Sequence, residues 1–253
     1  MRAKLILWPD MAIYVGPSFA TDRHSHFYAQ LCIGISGPLN LTGRDSISRA
    51  YEIAYVPSGI SHQTESSADS FALILIDPVR HAPVLWSEAD IPREHPAIEV
   101  ASRWLPEHRD ALRNEIVNGT EEIRPTLLRI LREQRSGNRA EVTDTRIRAT
   151  LRRLEENPEH LSLSELAAEA GLSPGRFRHL FRDETGITFS GYRLWQKTRR
   201  AMLVIGSHAD LGSAALRGGF ADQAHFNRIF RRSFGLTPSR LLKSGAEITF
   251  FQE

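Results

Sequence analysis

A twelve-residue pattern occurs twice in the last third of the chain. Phe177-Arg178-His179-Leu180-Phe181-Arg182, followed by Gly186-Ile187-Thr188, is matched 49 positions later by Phe226-Asn227-Arg228-Ile229-Phe230-Arg231, followed by Gly235-Leu236-Thr237. Upstream, Ala167 and Gly171 match Ala215 and Gly219 at an offset of 48. Two copies are too few to stack as a solenoid. The chain therefore carries one small module twice, and each copy must find its own core.

Each copy reads as helix, tight turn, helix. In the first, Ser162 is a candidate N-cap with Glu165 three residues on, the capping-box pattern. Leu163, Leu166, Ala167 and Ala170 form an apolar stripe. Gly171 supplies the left-handed turn, Ser173 caps the second helix, and Pro174 sits in its first turn, where a missing N–H does no harm. Phe177, Leu180 and Phe181 then face a core, and Arg178, His179 and Arg182 face away. The second copy repeats the plan with Gly219, a cap at Asp222, and Phe226, Ile229 and Phe230 inside. Its outer side carries Asn227, Arg228 and Arg231. Arginine on the outer face of a second helix suits guanine edges and phosphates in a major groove. Tyr192 to Ile205 lacks proline and glycine and reads as one connecting helix, able to set the two units about one DNA turn apart.

Charge follows the same division. Residues 161–245 hold 13 Arg/Lys against 6 Asp/Glu, whereas residues 1–92 hold 6 against 9. Such asymmetry points the C-terminal part at a polyanion. At 253 residues the chain has room for about two domains. One cysteine, Cys32, excludes an internal disulfide framework, and the default reading is a reduced, cytoplasmic protein. No apolar run approaches the ~20 residues of a membrane span. Leu5-Ile6-Leu7-Trp8 is cut off by Pro9-Asp10, too short for a signal peptide's apolar core.

Residues from about 144 to 243 resemble the DNA-binding domain of the AraC/XylS transcriptional regulators. The resemblance rests on Ala167, Gly171, Phe181, Gly186, Ala215, Gly219-Phe220, Gln223, Phe226, Arg228, Phe230, Phe234-Gly235 and Thr237-Pro238-Ser239. It implies seven helices, with two helix-turn-helix units joined by a long one. It also implies base contacts near Arg178, His179 and Arg182, and near His225 and Arg228, with Gln223 on the backbone. Ala214 departs from the family's larger aliphatic, and Gly212 and Gly218 should weaken their helix by up to ~1 kcal/mol each.

Residues 1–92 read as short strands between turns: Met11–Val15, Phe27–Ile35, Leu39–Thr42, Tyr51–Val56 and Ser70–Ile76, the spacing of an all-β sandwich or barrel. His24, His26 and Gln30 share parity and so one face of a strand. His24-x-His26-x-x-x-Gln30, ending at Gly37, resembles the first cupin motif with glutamine for glutamate, and Pro57-x-Gly59-x-x-His62 resembles the second. Tyr51 and Ser66 replace the motif's glycine and asparagine. In metal-binding cupins His24, His26, Gln30 and His62 would be the ligands, and three imidazoles suit zinc, iron, nickel or copper. Metal-free cupin-like sensory domains use such histidines as pocket wall.

Residues 93–140 suggest two amphipathic helical regions, one through Ile98, Ala101, Leu105, Ala111, Leu112, Ile116 and Val117, broken near Pro106, the other through Ile123, Leu127, Leu128, Ile130 and Leu131. They can pack on the barrel or pair with a second chain, and the resemblance favours dimerisation. Ser136-Gly137-Asn138 reads as a linker.

The expected architecture is an α+β multidomain chain. Residues 1–92 form a cupin-like β-barrel that binds a small effector, and 93–140 a helical linker and dimerisation region. Residues 141–245 are the all-α DNA-binding domain, and 246–253 a tail. The expected function is sequence-specific, effector-controlled transcription regulation, without enzymatic activity. Expected partners are double-stranded DNA, a small-molecule effector and a second copy in a homodimer, with RNA polymerase a further candidate and no membrane. No cofactor is certain, and a transition metal in the barrel stays open. The rival readings are a metal-dependent cupin enzyme with an accessory C-terminal domain and a metal-responsive regulator.

Overall fold

The computed structural model describes residues 2–65, 69–81, 109–118, 121–134, 142, 144–156, 161–206, 210–243 and 247–251. Among them the strands are β1 (Lys4–Leu7), β2 (Met11–Pro17), β3 (Ala29–Gly34), β4 (Leu39–Thr42), β5 (Ser48–Tyr51), β6 (Ile53–Val56), β7 (Gln63–Glu65), β8 (Ser70–Ile76) and β9 (Glu247–Phe250). The helices are α1 (Arg109–Asn118), α2 (Ile123–Gln134), α3 (Thr145–Glu156), α4 (Leu163–Glu169), α5 (Pro174–Thr185), α6 (Phe189–Gly206), α7 (Leu211–Arg217), α8 (Gln223–Phe234) and α9 (Pro238–Lys243).

Six strands make one sheet in the order β6-β3-β8-β2-β1-β9, and β5-β4-β7 make a second. Strands β2, β3, β6 and β8 of the large sheet are covered on both faces, so they are mainly apolar rather than alternating with polar residues. Period two sorts them. Ile6, Ile13, Val15, Leu31, Ile33, Ile74 and Ile76 point to one side, where Ile116 of α1 and Ile123, Leu127, Ile130 and Leu131 of α2 close over them. Cys32, Ala54 and Val56 point to the other side, against Leu39, Leu41 and Tyr51 of the small sheet. These buried faces of α1 and α2 therefore pack on the sheet, one of the two options open from sequence. Ile98, Ala101, Leu105, Ser66 and the Ser136-Gly137-Asn138 linker lie outside the described residues.

The sheets share no ladder among the described residues, so the expected barrel is an open pair of sheets. Beyond the strands read from sequence stand β1, β5, β7 and β9. The last comes from the segment set apart as a tail. It pairs parallel with β1 from Lys4↔Glu247 to Leu7↔Phe250, and Trp8 stacks on Phe251 at 5.1 Å.

Helices α3 to α9 supply the seven expected of the DNA-binding domain. Ser162 and Glu165 form the capping box, and Ser173 and Asp222 cap α5 and α8. Gly171 and Gly219 take the left-handed turns between paired helices, at φ +66° and +81°. Gly218 is not the weakness expected of it. It caps α7 from outside the helix, and a Cβ there would sit 2.8 Å from Ala201 Cβ and 2.9 Å from Lys197 O. Its bare backbone lets α7 lie against α6.

A buried carboxylate ties α2 to the sheet. Asp10, 1% exposed, accepts from His81 Nε2 at 2.6 Å and from Arg124 Nε at 3.0 Å. Burial alone would raise its pKa, but the hydrogen bonds from His81 and Arg124 hold it well below the usual aspartate range. Arg124→Met should cost about 1–3 kcal/mol near neutral pH, because a buried charge loses its donor. A folded-state pKa below the unfolded one gives stability that is present above pH ~4 and lost as pH falls through that range. The gap between wild type and variant in urea melts should therefore close on the acid side.

Candidate nucleic-acid interface and effector cavity

The buried rings of α5, Phe177 and Phe181, and of α8, Phe226 and Phe230, fix which faces look outward. Arg178, His179 and Arg182 are exposed on α5, and Gln223 and Arg228 on α8. His225 and Asn227 are half-buried. The His225 ring meets Phe220 edge-on at 5.5 Å, and Asn227 Oδ1 is buried without a partner among the described residues. Arg231 is exposed but engaged, donating to Asp22 from Nε at 2.8 Å and lying 2.6 Å from it through Nη2. All eight residues read as DNA-facing lie on α5 or α8; among the described residues seven make no ion pair to the sheet, and Arg231 reaches the sheet domain. Between the two units α6 runs 18 residues, about 27 Å at ~1.5 Å per residue.

The second helix-turn-helix unit closes onto the sheet domain. Asp22 N–H donates to Gly235 O at 2.8 Å. Trp195 Nε1–H of α6 donates to Asp77 Oδ2 at 3.0 Å. Tyr28 packs against the Trp195 ring at 4.3 Å and the Phe234 ring at 5.7 Å, and its burial raises its hydroxyl pKa well above the usual value. Between the two sides lies a cavity of about 90 Å³. Leu5, Tyr14, Leu73 and His24 line it from the sheet, and Met202, Phe230 and Leu241 from the helices. Arg199 of α6 reaches into this apolar wall. It donates from Nη1 to Pro9 O, and its Nε is buried without a partner among the described residues. The sequence reading missed Arg199 and Trp195, because both sit on a helix that looked like a spacer. The signal available was a tryptophan and an arginine four residues apart, on one face of that helix.

Three of the four barrel residues singled out from sequence are histidines, and they meet. One ring nitrogen from each of His24, His26 and His62 lies within 4.8 Å of the others. His24 and His26 do not share a strand with Gln30 as expected. His24 pairs with His62 in an isolated bridge, and β3 begins only at Ala29. Each ring is anchored by a backbone carbonyl: His24 Nδ1 to Asp22 O at 2.8 Å, His26 Nδ1 to Tyr28 O at 3.1 Å, His62 Nδ1 to Ile60 O at 3.0 Å. Gln30 Oε1 lies 2.9 Å from His26 Nε2, and Gln30 Nε2–H donates to Cys32 Sγ at 3.0 Å. Burial lowers all three imidazole pKa values, that of His26 to about 3. It pushes the Cys32 thiol up to about 12.

A helix-turn-helix domain model matches residues 166–244, the span of both repeats. The arabinose operon regulatory protein of Salmonella typhimurium is 32% identical over 89 residues, 35% of this chain and 31% of that protein. The C-terminal part of the chain thus carries a helix-turn-helix domain and is similar to part of the arabinose regulator. The match spans about a third of the arabinose regulator's length. A probable transcriptional regulator of Photobacterium leiognathi, LumQ, is 24% identical over 248 residues, 88% of this chain and 96% of that one. Among solved structures, ToxT from Vibrio cholerae O395 has a TM-score of 0.58 at 14% identity, covering 92% of this chain and 96% of its own. The likeness shows that this chain shares ToxT's fold, sheets included. ToxT has also been solved with (E)-4-(8-methylnaphthalen-1-yl)but-3-enoic acid and with an unsaturated fatty acid bound. The first of these is named as a regulatory protein and LumQ as a probable transcriptional regulator.

Proposed function

We propose that this chain is a sequence-specific, DNA-binding transcription regulator of the AraC/XylS type, controlled by an apolar monocarboxylic acid. The observation that carries the DNA reading is the pair of helix-turn-helix units, one at each end of α6, with exposed Arg178, His179, Arg182, Gln223 and Arg228 on their second helices. Effector control is supported by the cavity and by Arg199, a cation with a buried, unpartnered Nε in an apolar wall. That pairing fits an anionic head on a hydrocarbon body. The acids bound to ToxT have this chemistry.

A cavity of about 90 Å³ is smaller than the ~300–1,000 Å³ that holds a drug-sized ligand. A long-chain acid fits only if the seam widens, so it prefers a state in which the second helix-turn-helix unit sits differently on the sheet. That differential affinity is what lets an effector shift DNA binding. A homodimer on paired half-sites, with RNA polymerase as its downstream contact, completes the reading.

The test is footprinting of the full chain on DNA upstream of its own gene, with and without oleate. A protected site whose occupancy changes with oleate is the expected result. Arg199→Met should weaken oleate binding about tenfold or more by calorimetry, the size of one charged hydrogen bond. Protection without any effect of oleate, or unchanged oleate affinity in the variant, removes the acid from the proposal. No protected site removes the DNA reading.

A further inference from the structure

Most polar side chains on the cavity wall are already spent. Thr21 and Thr64 pair through their hydroxyls at 3.0 Å. Tyr14 donates to Pro17 O at 2.9 Å, Gln30 to Cys32 Sγ at 3.0 Å, and Trp195 to Asp77 at 3.0 Å. Three groups on that wall are left over. Arg199 Nε is buried without a partner among the described residues. The Tyr28 hydroxyl and His24 Nε2 make no hydrogen bond among them either. Burial raises the Tyr28 pKa and the nearby Arg199 charge opposes it, so the hydroxyl stays a donor beside that cation. The His24 ring is fixed through its other nitrogen, Nδ1, which lies 2.8 Å from Asp22 O. A carbonyl oxygen only accepts, so Nδ1 carries the proton and Nε2 presents a lone pair. Burial lowers the His24 pKa, which keeps the ring neutral and Nε2 an acceptor.

We propose that the effector is a hydroxy acid: Arg199 and Tyr28 take its carboxylate, and His24 Nε2 accepts a hydrogen bond from a hydroxyl on its hydrocarbon chain. This rests on the acid reading of the cavity and narrows it. Buried polar groups are rarely left unmatched, and a plain fatty acid answers Arg199 and Tyr28 but leaves the His24 lone pair bare. That lone pair also repels a carboxylate, so the head is directed to Arg199 and the ligand has one orientation. An ammonium would bring a second cation into a cavity that already buries Arg199, so the matching donor is uncharged. Arg199 reaches the wall from α6 and His24 from the strap ahead of β3, which sets the hydroxyl along the chain, away from the head.

The subsite adjoins the recognition helix. Asp22 anchors the His24 ring through its carbonyl, donates its N–H to Gly235 at the end of α8 and pairs with Arg231 of α8. A hydroxyl seated on His24 therefore loads the strap that holds the end of α8.

The test is calorimetry on the full chain with octadecanoate, 10-hydroxyoctadecanoate, 12-hydroxyoctadecanoate and the corresponding 10-oxo and 12-oxo acids. At least one hydroxy acid should bind about threefold to tenfold more tightly than octadecanoate, the worth of one uncharged hydrogen bond. Its oxo partner, which keeps the oxygen and loses the donor, should fall back to the affinity of octadecanoate. His24→Leu should erase the gain. Should that variant fold poorly, the oxo comparison on the wild type decides. Tyr28→Phe should weaken all five acids alike, by a similar factor. No hydroxy acid bound above octadecanoate, an oxo acid bound as tightly as its hydroxy partner, or a gain kept in folded His24→Leu overturns the hydroxyl subsite. Octadecanoate binding in any of those cases leaves the acid reading standing, whereas a wild type that binds none of the five removes both.

Discussion

Gly235→Ala is expected to destabilise the full chain by about 2–5 kcal/mol. Two costs combine. Gly235 sits at φ +67°, where a side chain costs about 1–2 kcal/mol. The new methyl would also meet Asp22 O at 2.4 Å, Thr21 Cβ at 2.7 Å and His24 Nδ1 at 2.8 Å. Asp22 O belongs to the backbone strap and His24 Nδ1 to a carbonyl-anchored ring, so neither yields easily and crowding adds about 1–3 kcal/mol. Gly171→Ala provides the comparison. It has nearly the same φ, +66°, but nothing within 4 Å of its added Cβ, so only the first cost applies. Urea melts of the two variants should therefore differ by the crowding alone. Equal losses would mean that the sheet does not press on the end of α8.

The comparison of the two glycines marks the boundary of what sequence reading reached. Gly171 was legible as a turn residue, because a Gly after an amphipathic helix has a local cause, and Gly235 as a position of the repeat. The capping box at Ser162, the caps at Ser173 and Asp222, and the inward Phe177, Phe181, Phe226 and Phe230 follow from the same local rules. The strands Leu39–Thr42 and Ser70–Ile76 were legible for the same reason. What Gly235 touches was not legible. Thr21 and Asp22 lie more than 200 positions away, and no periodicity in either segment reports the other. Strand β9 was missed likewise. Its pairing with β1 depends on where α9 delivers the chain, which propensity does not encode. Arg199 read as one more cation in a basic domain, and only the apolar wall around it gives it a separate role. The histidines show the middle case. Their spacing suggested a shared site, and they do meet, but His24 is held by a bridge to His62 rather than on the strand that carries Gln30. The helix α7 shows the opposite error. Gly218 was judged by helix propensity, whereas its position is set by how closely α6 approaches.

The double variant Arg178→Ala/Arg228→Ala should lose about 2–6 kcal/mol of operator binding, since each bidentate base contact is worth about 1–3 kcal/mol. The two arginines sit on different units at opposite ends of the 18-residue α6, so their losses should add within a few tenths of a kcal/mol. Neither helix core should suffer. Both side chains are exposed, and the melting temperature should stay within about a degree or two of wild type. Discrimination should fall more than affinity. Binding to random duplex DNA rests on the many other cations of residues 161–245 and on counterion release, so it should drop only modestly. The salt slope should shrink by about one for each phosphate that is no longer neutralised. Arg231→Ala is the internal contrast. Its guanidinium is held by Asp22, an exposed pair worth about 0–1 kcal/mol, and its removal should change operator discrimination far less than either of the other two. Anisotropy titrations of all three variants on operator and random duplexes, at several salt concentrations, check this. Equal losses on both duplexes would place Arg178 and Arg228 on phosphates rather than base edges.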